Sequence, residues 1–72
     1  MHLELYKNLL NIDNYQQINH IDNVLIYLKE VKVHGEDLKV IYLDQDTITI
    51  KGIFRKIELG IQDDLQGKNE KE

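Results

Sequence analysis

Cysteine, proline and serine are all absent from this 72-residue chain. Without cysteine, neither a disulfide nor a thiolate metal site can supplement the core. The missing thiol also fits a reducing compartment. The usual catalytic nucleophiles are reduced to Thr47 and Thr49, the two threonines. Both lie in a strand-like stretch, where threonine is favoured for its β-branched shape. With no proline, turns fall to four glycines and to asparagines. Long apolar runs are missing too, and none approaches the roughly 20 residues of a membrane-spanning helix. Met1-His-Leu-Glu-Leu lacks the basic start and apolar stretch of a secretory signal. The expected location is the cytoplasm.

Positive charge is also in deficit. The formal net charge is −4 and the pI about 5.2. That disfavours a protein that grips nucleic acid through general electrostatics. At this length one domain is expected, with a modest core and a thin stability margin.

What the chain does have is alternation. From Lys32 to Gly52, apolar and polar residues alternate as in strands with one buried face. The expected fold is all-β: a small antiparallel meander of five to six short strands. It would close as a small barrel or pack as a sandwich to hide its apolar face. The domain is expected over residues 1–60. Residues 61–72 carry too little apolar surface to order themselves and are expected to form a charged tail.

Within the domain, the first dozen residues fit either helix or strand, and strand is preferred because everything downstream is strand. Asn11 to Asn14 reads as a turn, Tyr15 to Ile21 as a strand, and Asp22-Asn23 as the next turn. Val24, Ile26 and Leu28 share one parity, whereas Val31 and Val33 have the other. One extra residue near Lys29-Glu30 would restore the face, so a bulge or sharp bend is expected there. Gly35-Glu36 fits a two-residue turn with positive φ at the glycine. That turn pairs Lys32 with Lys39, Val33 with Leu38 and His34 with Asp37. The loop Asp44-Gln45-Asp46 pairs Leu43 with Thr47, Tyr42 with Ile48 and Val40 with Ile50. A parity change after Gly52 predicts a bend there and a final strand, with Ile53, Ile57 and Leu59 turned inward.

This register aligns Lys32, Lys39 and Lys51 across three strands. Like charges directly opposite are unfavourable. They form either a basic stripe for an acidic partner or phosphate, or a solvated face protected from aggregation. Leu25, Ile41 and Leu43 would lie opposite the core, and apolar groups on both faces imply a second covering layer. In so short a chain that layer can be another subunit. Asp44-x-Asp46 could hold a hard cation but reads more simply as turn chemistry. His2, His20 and His34 are too far apart for a metal motif. The four tyrosines could stack bases, although half-buried tyrosine is ordinary in a sheet. No catalytic, cofactor or metal-binding residue emerges, and an enzyme is not expected.

Two stretches resemble the YabP/YqfC family of spore-development proteins from endospore-forming bacteria. Ile12-Asp-Asn-Tyr-Gln-Gln-Ile18, with Val24 to Leu28, is similar to the family's I-E-N-x-x-x-I strand and the aliphatic strand after it. Val31-Lys-Val-His-Gly-Glu-Asp-Leu-Lys-Val40, then Leu43-Asp44, then Ile48-Thr-Ile-Lys-Gly-Ile-Phe-Arg-Lys-Ile57, is similar to its L-x-I-x-G-x-x-L-x-I, L-D and I-x-I-x-G-x-I-x-x-I string. The match covers about residues 12–59. Gln17 stands where the family commonly has glycine, and the link from Leu28 to Val31 is short. The resemblance implies a non-enzymatic role in the developing spore, on the mother-cell side, through protein–protein contact or self-association. The alternatives are a small nucleic-acid-binding barrel, using the three lysines with Arg55 or Lys56, and a phage-encoded modulator of a host protein.

Overall fold

The computed structural model describes residues 1–60, and the expected tail lies outside the described residues. Six strands form one antiparallel sheet: β1 (His2–Tyr6), β2 (Leu9–Asp13), β3 (Ile18–Ile21), β4 (Leu25–Leu28), β5 (Val31–Leu43) and β6 (Thr47–Leu59). Their order is β1-β2-β6-β5-β4-β3, so β3 to β6 run as a meander and β2 joins the far side of β6. β1 and β3 are free edges, and the sheet is not closed.

Chain geometry forces this sheet to fold over. β2 and β3 stand four strand positions apart, yet only residues 14–17 connect them. A flat sheet would separate them by about 19 Å at ~4.8 Å per strand. The link from Asp13 to Ile18 spans at most about 17 Å when fully extended. The two long strands therefore bend midway, and each serves two layers. Layer one holds β1, β2, the first half of β6 and the second half of β5. Layer two holds β3, β4, the first half of β5 and the second half of β6.

Between them lies the core. Leu10, Ile12, Ile48 and Ile50 face it from layer one, and Ile26, Leu28, Val31 and Val33 from layer two; all eight side chains are essentially buried. Leu38 is buried at the bend, and Tyr15 packs against the core from the link. Burying a side chain of this size contributes about 1.5–3 kcal/mol. The link ties the far ends of the layers together: Asn14 N donates to Asp46 O at 2.6 Å and Lys29 N to Gln17 O at 2.9 Å.

Three bulges bend the shared strands. Each inserts one extra residue, which sharpens the local twist. They fall between His34 and Gly35, between Glu36 and Lys39, and between Val40 and Tyr42, counted along β5. Counting partners places the extra residue at Arg55 in the first case, at Asp37-Leu38 in the second and at Ile41 in the third. Asp37 adopts φ 53°, the left-handed conformation that aspartate tolerates better than most residues.

Several sequence expectations need correction. Gly35-Glu36 is not a hairpin turn but part of the continuous strand β5. His34 pairs with Lys56 and Leu25, not Asp37, and Val33 pairs with Ile57 and Ile26, not Leu38. The glycine is needed for space rather than for a positive φ: a Cβ at Gly35 would lie 2.1 Å from the Ile53 carbonyl oxygen. Of the two forms expected at Lys29-Glu30, the sharp bend is the one present: it is the two-residue turn of the β4–β5 hairpin, since Tyr27 pairs with Lys32 and Ile26 with Val33. The bend near Gly52 is present, but the parity change comes later, at the Arg55 bulge. Phe54 and Ile57 consequently pack on the core, while Ile53 and Leu59 are exposed. The first dozen residues form a whole hairpin, turning at Lys7-Asn8, where Lys7 takes φ 55°.

Candidate interaction surfaces

The outer faces of the two layers differ in chemistry. On layer one, β2 and β6 oppose Asn11 to Thr49 and Asp13 to Thr47. Thr49 Oγ1 donates to Asn11 Oδ1 at 2.6 Å, Thr47 Oγ1 to Asp13 Oδ1 at 3.0 Å, and Asn11 Nδ2 to Asp13 Oδ1 at 3.2 Å. These bonds bind the two strands with little charge. Layer two instead gathers ionisable side chains around Glu58. His34 Nε2 lies 2.6 Å from Glu58 Oε2, with Lys56 Nζ at 3.9 Å. The His34 bond, aided by Lys56, holds the Glu58 carboxyl below its ordinary value. Lys32 Nζ lies 4.8 Å from the Tyr27 ring centre, a cation–π contact.

Turn carboxylates are occupied by the backbone. Asp44 Oδ1 accepts from the amides of Asp46 and Thr47, both at 2.8 Å, and its other oxygen accepts from the Tyr42 hydroxyl at 2.7 Å. The Tyr42 bond, then the two amides, lower the Asp44 pKa, while the same bond raises that of Tyr42. This is the turn role expected of Asp44. Asp22 does the same at the β3–β4 turn, accepting from Val24 and Leu25, with His20 Nε2 at 2.7 Å from its second oxygen. The His20 bond and those amides bring Asp22 down to about 2.

The predicted interaction residues are dispersed. Lys39 does pair with Lys51, as expected, but Lys32 is in the other layer opposite Glu58 and Tyr27. There is no continuous stripe of three lysines. Val40 pairs with Ile50 as expected, whereas the Ile41 bulge sets Tyr42 against Thr49 and Leu43 against Ile48. Tyr42 therefore leaves the core face and is half exposed. Leu25 is half-buried opposite His34 on layer two. Leu43 lies on the inner face at its rim, not opposite the core, and Ile41 occupies the bulge. The three do not form one outer apolar face.

Two features escaped sequence reasoning. The inner face is incompletely covered: Leu5, Ile21 and Leu59 pair with core residues or their neighbours yet remain 55%, 45% and 60% exposed. The second is a concavity of about 490 Å³ at the bend. Its floor is Leu38, Gly52 and Ile53, and Asn8, Asn23, Asp37, Lys39 and Lys51 stand around it. The two hairpin turns are anchored there by backbone bonds, Gly52 N to Asn8 O at 3.0 Å and Leu38 N to Asn23 O at 2.9 Å. These residues come from four chain segments, so only the Lys39–Lys51 opposition was visible in the sequence.

Together the fold and surfaces define a small all-β domain built from one folded-over, open antiparallel sheet. Compared with protein-family models, curated proteins and solved structures, the chain matches none. Among the described residues no helix is long and apolar enough to cross a membrane.

Proposed function

We propose that this chain is a non-enzymatic interaction protein that works through the open edge of β1, and that the strand added there is β1 of a second copy. The regularity of that edge carries the reading. Free edges are normally blunted by lysine, proline, bulges or shortness. β3 is so protected, with four residues and a register break between Ile18 and His20. β1, His2-Leu-Glu-Leu-Tyr6, has five residues in unbroken register with β2 and contains neither lysine nor proline. Its outward backbone groups offer a template for strand addition. Leu3 and Leu5 would extend the core across the junction, which covers the exposed Leu5.

Antiparallel pairing centred on Leu3 sets His2 against Glu4 of the other copy. Pairing centred on Glu4 would oppose that carboxylate to itself, so the Leu3-centred register is favoured. The resemblance to the YabP/YqfC family supports placing this assembly in spore development, in the mother-cell cytoplasm. A phage-encoded modulator of a host protein would use the same edge, and gene neighbourhood distinguishes the two.

Sedimentation at low and high salt tests the assembly. The expected result is a dimer that persists at high salt and becomes monomeric in Leu5→Lys, whose melting curve stays close to wild type because Leu5 is already half exposed. A wild-type monomer throughout, or an unchanged Leu5→Lys dimer, would overturn the proposal.

A further inference from the structure

Among the described residues, no acidic side chain makes an ion pair with the lysine pair at the bend, although Asp37 lines the same concavity. Lys39 and Lys51 are direct cross-strand partners, and among the described residues neither takes part in a salt bridge. The other described cations on β5 and the second half of β6 are matched: Lys32 by Tyr27, Arg55 by Glu36 and Lys56 by Glu58. Asn8 and Asn23 stand beside the lysines. Among the described residues their side-chain amides make no hydrogen bond within the chain. Four unpartnered polar side chains thus converge on one concavity.

We propose that this concavity binds a small phosphate monoester with a sugar or nucleoside body, its phosphate held between Lys39 and Lys51. Two compact ammonium groups suit a phosphate as point charges, and no guanidinium lines the cavity for a planar fork. A phosphate between them turns a repulsive pair into an attractive triad. The volume, about 490 Å³, lies in the range of small-molecule sites and far exceeds what a bare phosphate needs. Leu38 and Ile53 provide apolar surface for the body, and Ile53 is 51% exposed without a ligand. Asn8, Asn23 and the Asp37 carboxylate can pair with hydroxyls or ring N–H groups. Asp37 would only repel a bare phosphate. A nucleic-acid strand fits less well, because Lys32 sits in the other layer and, among the described residues, no basic track leads into the site.

The proposal is independent of strand addition at β1, and titration of the full chain tests it. Amide shifts and calorimetry would follow adenosine 5′-monophosphate, ribose 5-phosphate and inorganic phosphate at low salt. At least one of the two monoesters is expected to saturate, shifting the amides of Asn8, Asn23, Lys39 and Gly52. Inorganic phosphate should bind about tenfold more weakly or worse. Losing one charge-assisted bond, Lys51→Gln should weaken the monoester about tenfold, and Lys32→Gln should leave it unchanged. A melting curve confirms that Lys51→Gln is folded. Absence of saturation by both monoesters, equal binding of inorganic phosphate, or indifference to Lys51→Gln would each overturn the proposal.

Discussion

The two layers share a core and two strands but finish their surfaces differently. Layer two ends in a short, bulged edge, and its outer carboxylates are partnered: Glu58 by His34 and Lys56, Asp22 by His20. Layer one ends in the regular strand β1 and opposes Lys39 to Lys51 at the bend. Layer two partners its outer carboxylates and leaves only Ile21 and Leu59 part-covered on its inner face, while layer one leaves a regular edge and a charge pair for something else to complete. Binding surfaces are concentrated where a protein accepts local cost, because unsatisfied groups gain most from a partner. The contrast is thus a guide to where this chain makes contact.

The harshest way to break the comparison is to remove the bend on which both layers depend. Gly35 passes so close to β6 that a Cβ would overlap the Ile53 carbonyl, and the Leu38 side chain is only 2.9 Å away. Gly35→Val should cost about 3 kcal/mol or more, at the upper end of overpacking effects. A domain this small has little margin to absorb it. Urea unfolding would check it, and a midpoint equal to wild type would mean that the layers do not meet through this contact.

The Gly35 error shows what sequence patterning can and cannot resolve. A glycine between two alternating runs signals either a left-handed turn or a close backbone approach, and the local pattern is the same for both. Lys29-Glu30 posed the same difficulty, since a parity change of one residue marks a bulge in one strand or a two-residue turn between two. By contrast, Val40–Ile50 and Lys39–Lys51 fall as expected only because two departures cancel: the loop sets Leu43 against Ile48 rather than Thr47, and the Ile41 bulge takes that one-residue shift back. Pairing of β2 with β6 joins residues 34 to 42 positions apart, and nothing in either strand announces its partner. The alternating face gave away the all-β class, while the concavity depends on that non-local pairing and stayed hidden.

A charge reversal sharpens the comparison at smaller scale. Lys39→Glu replaces a like-charge opposition with a cross-strand ion pair to Lys51 and should stabilise the free protein by a few tenths of a kcal/mol, roughly up to 1. Lys32→Glu in layer two should act in the opposite direction, because it loses the Tyr27 contact and opposes a carboxylate to Glu58. Thermal melts of both variants at low salt would read the sign. Equal signs would show that the layers are not electrostatically distinct.

Acid titration gives the smallest effect and also separates two kinds of turn. Asp22 is held at about 2 in the folded chain, against an ordinary value of 3.8. A depressed carboxylate contributes stability that is fully present above its unfolded value and lost as pH falls through its folded one. The Asp22 contribution should therefore fade between about pH 4 and pH 2. Asp22→Asn keeps an oxygen to accept from Val24 and Leu25 but discards the charge that attracts His20. Its melting temperature should fall less steeply over that window than that of the wild type. Asp44 is lowered chiefly by the Tyr42 hydroxyl, a neutral donor, so Tyr42→Phe should remove much of the same acid slope as Asp44→Asn. For Asp22 it is His20→Gln that should reproduce much of the change, because there the leading partner is an imidazole. Parallel acid slopes for wild type and Asp22→Asn would mean that this turn carboxylate is equally free in the folded and unfolded chains, and that the pairing on layer two adds nothing to its stability in acid.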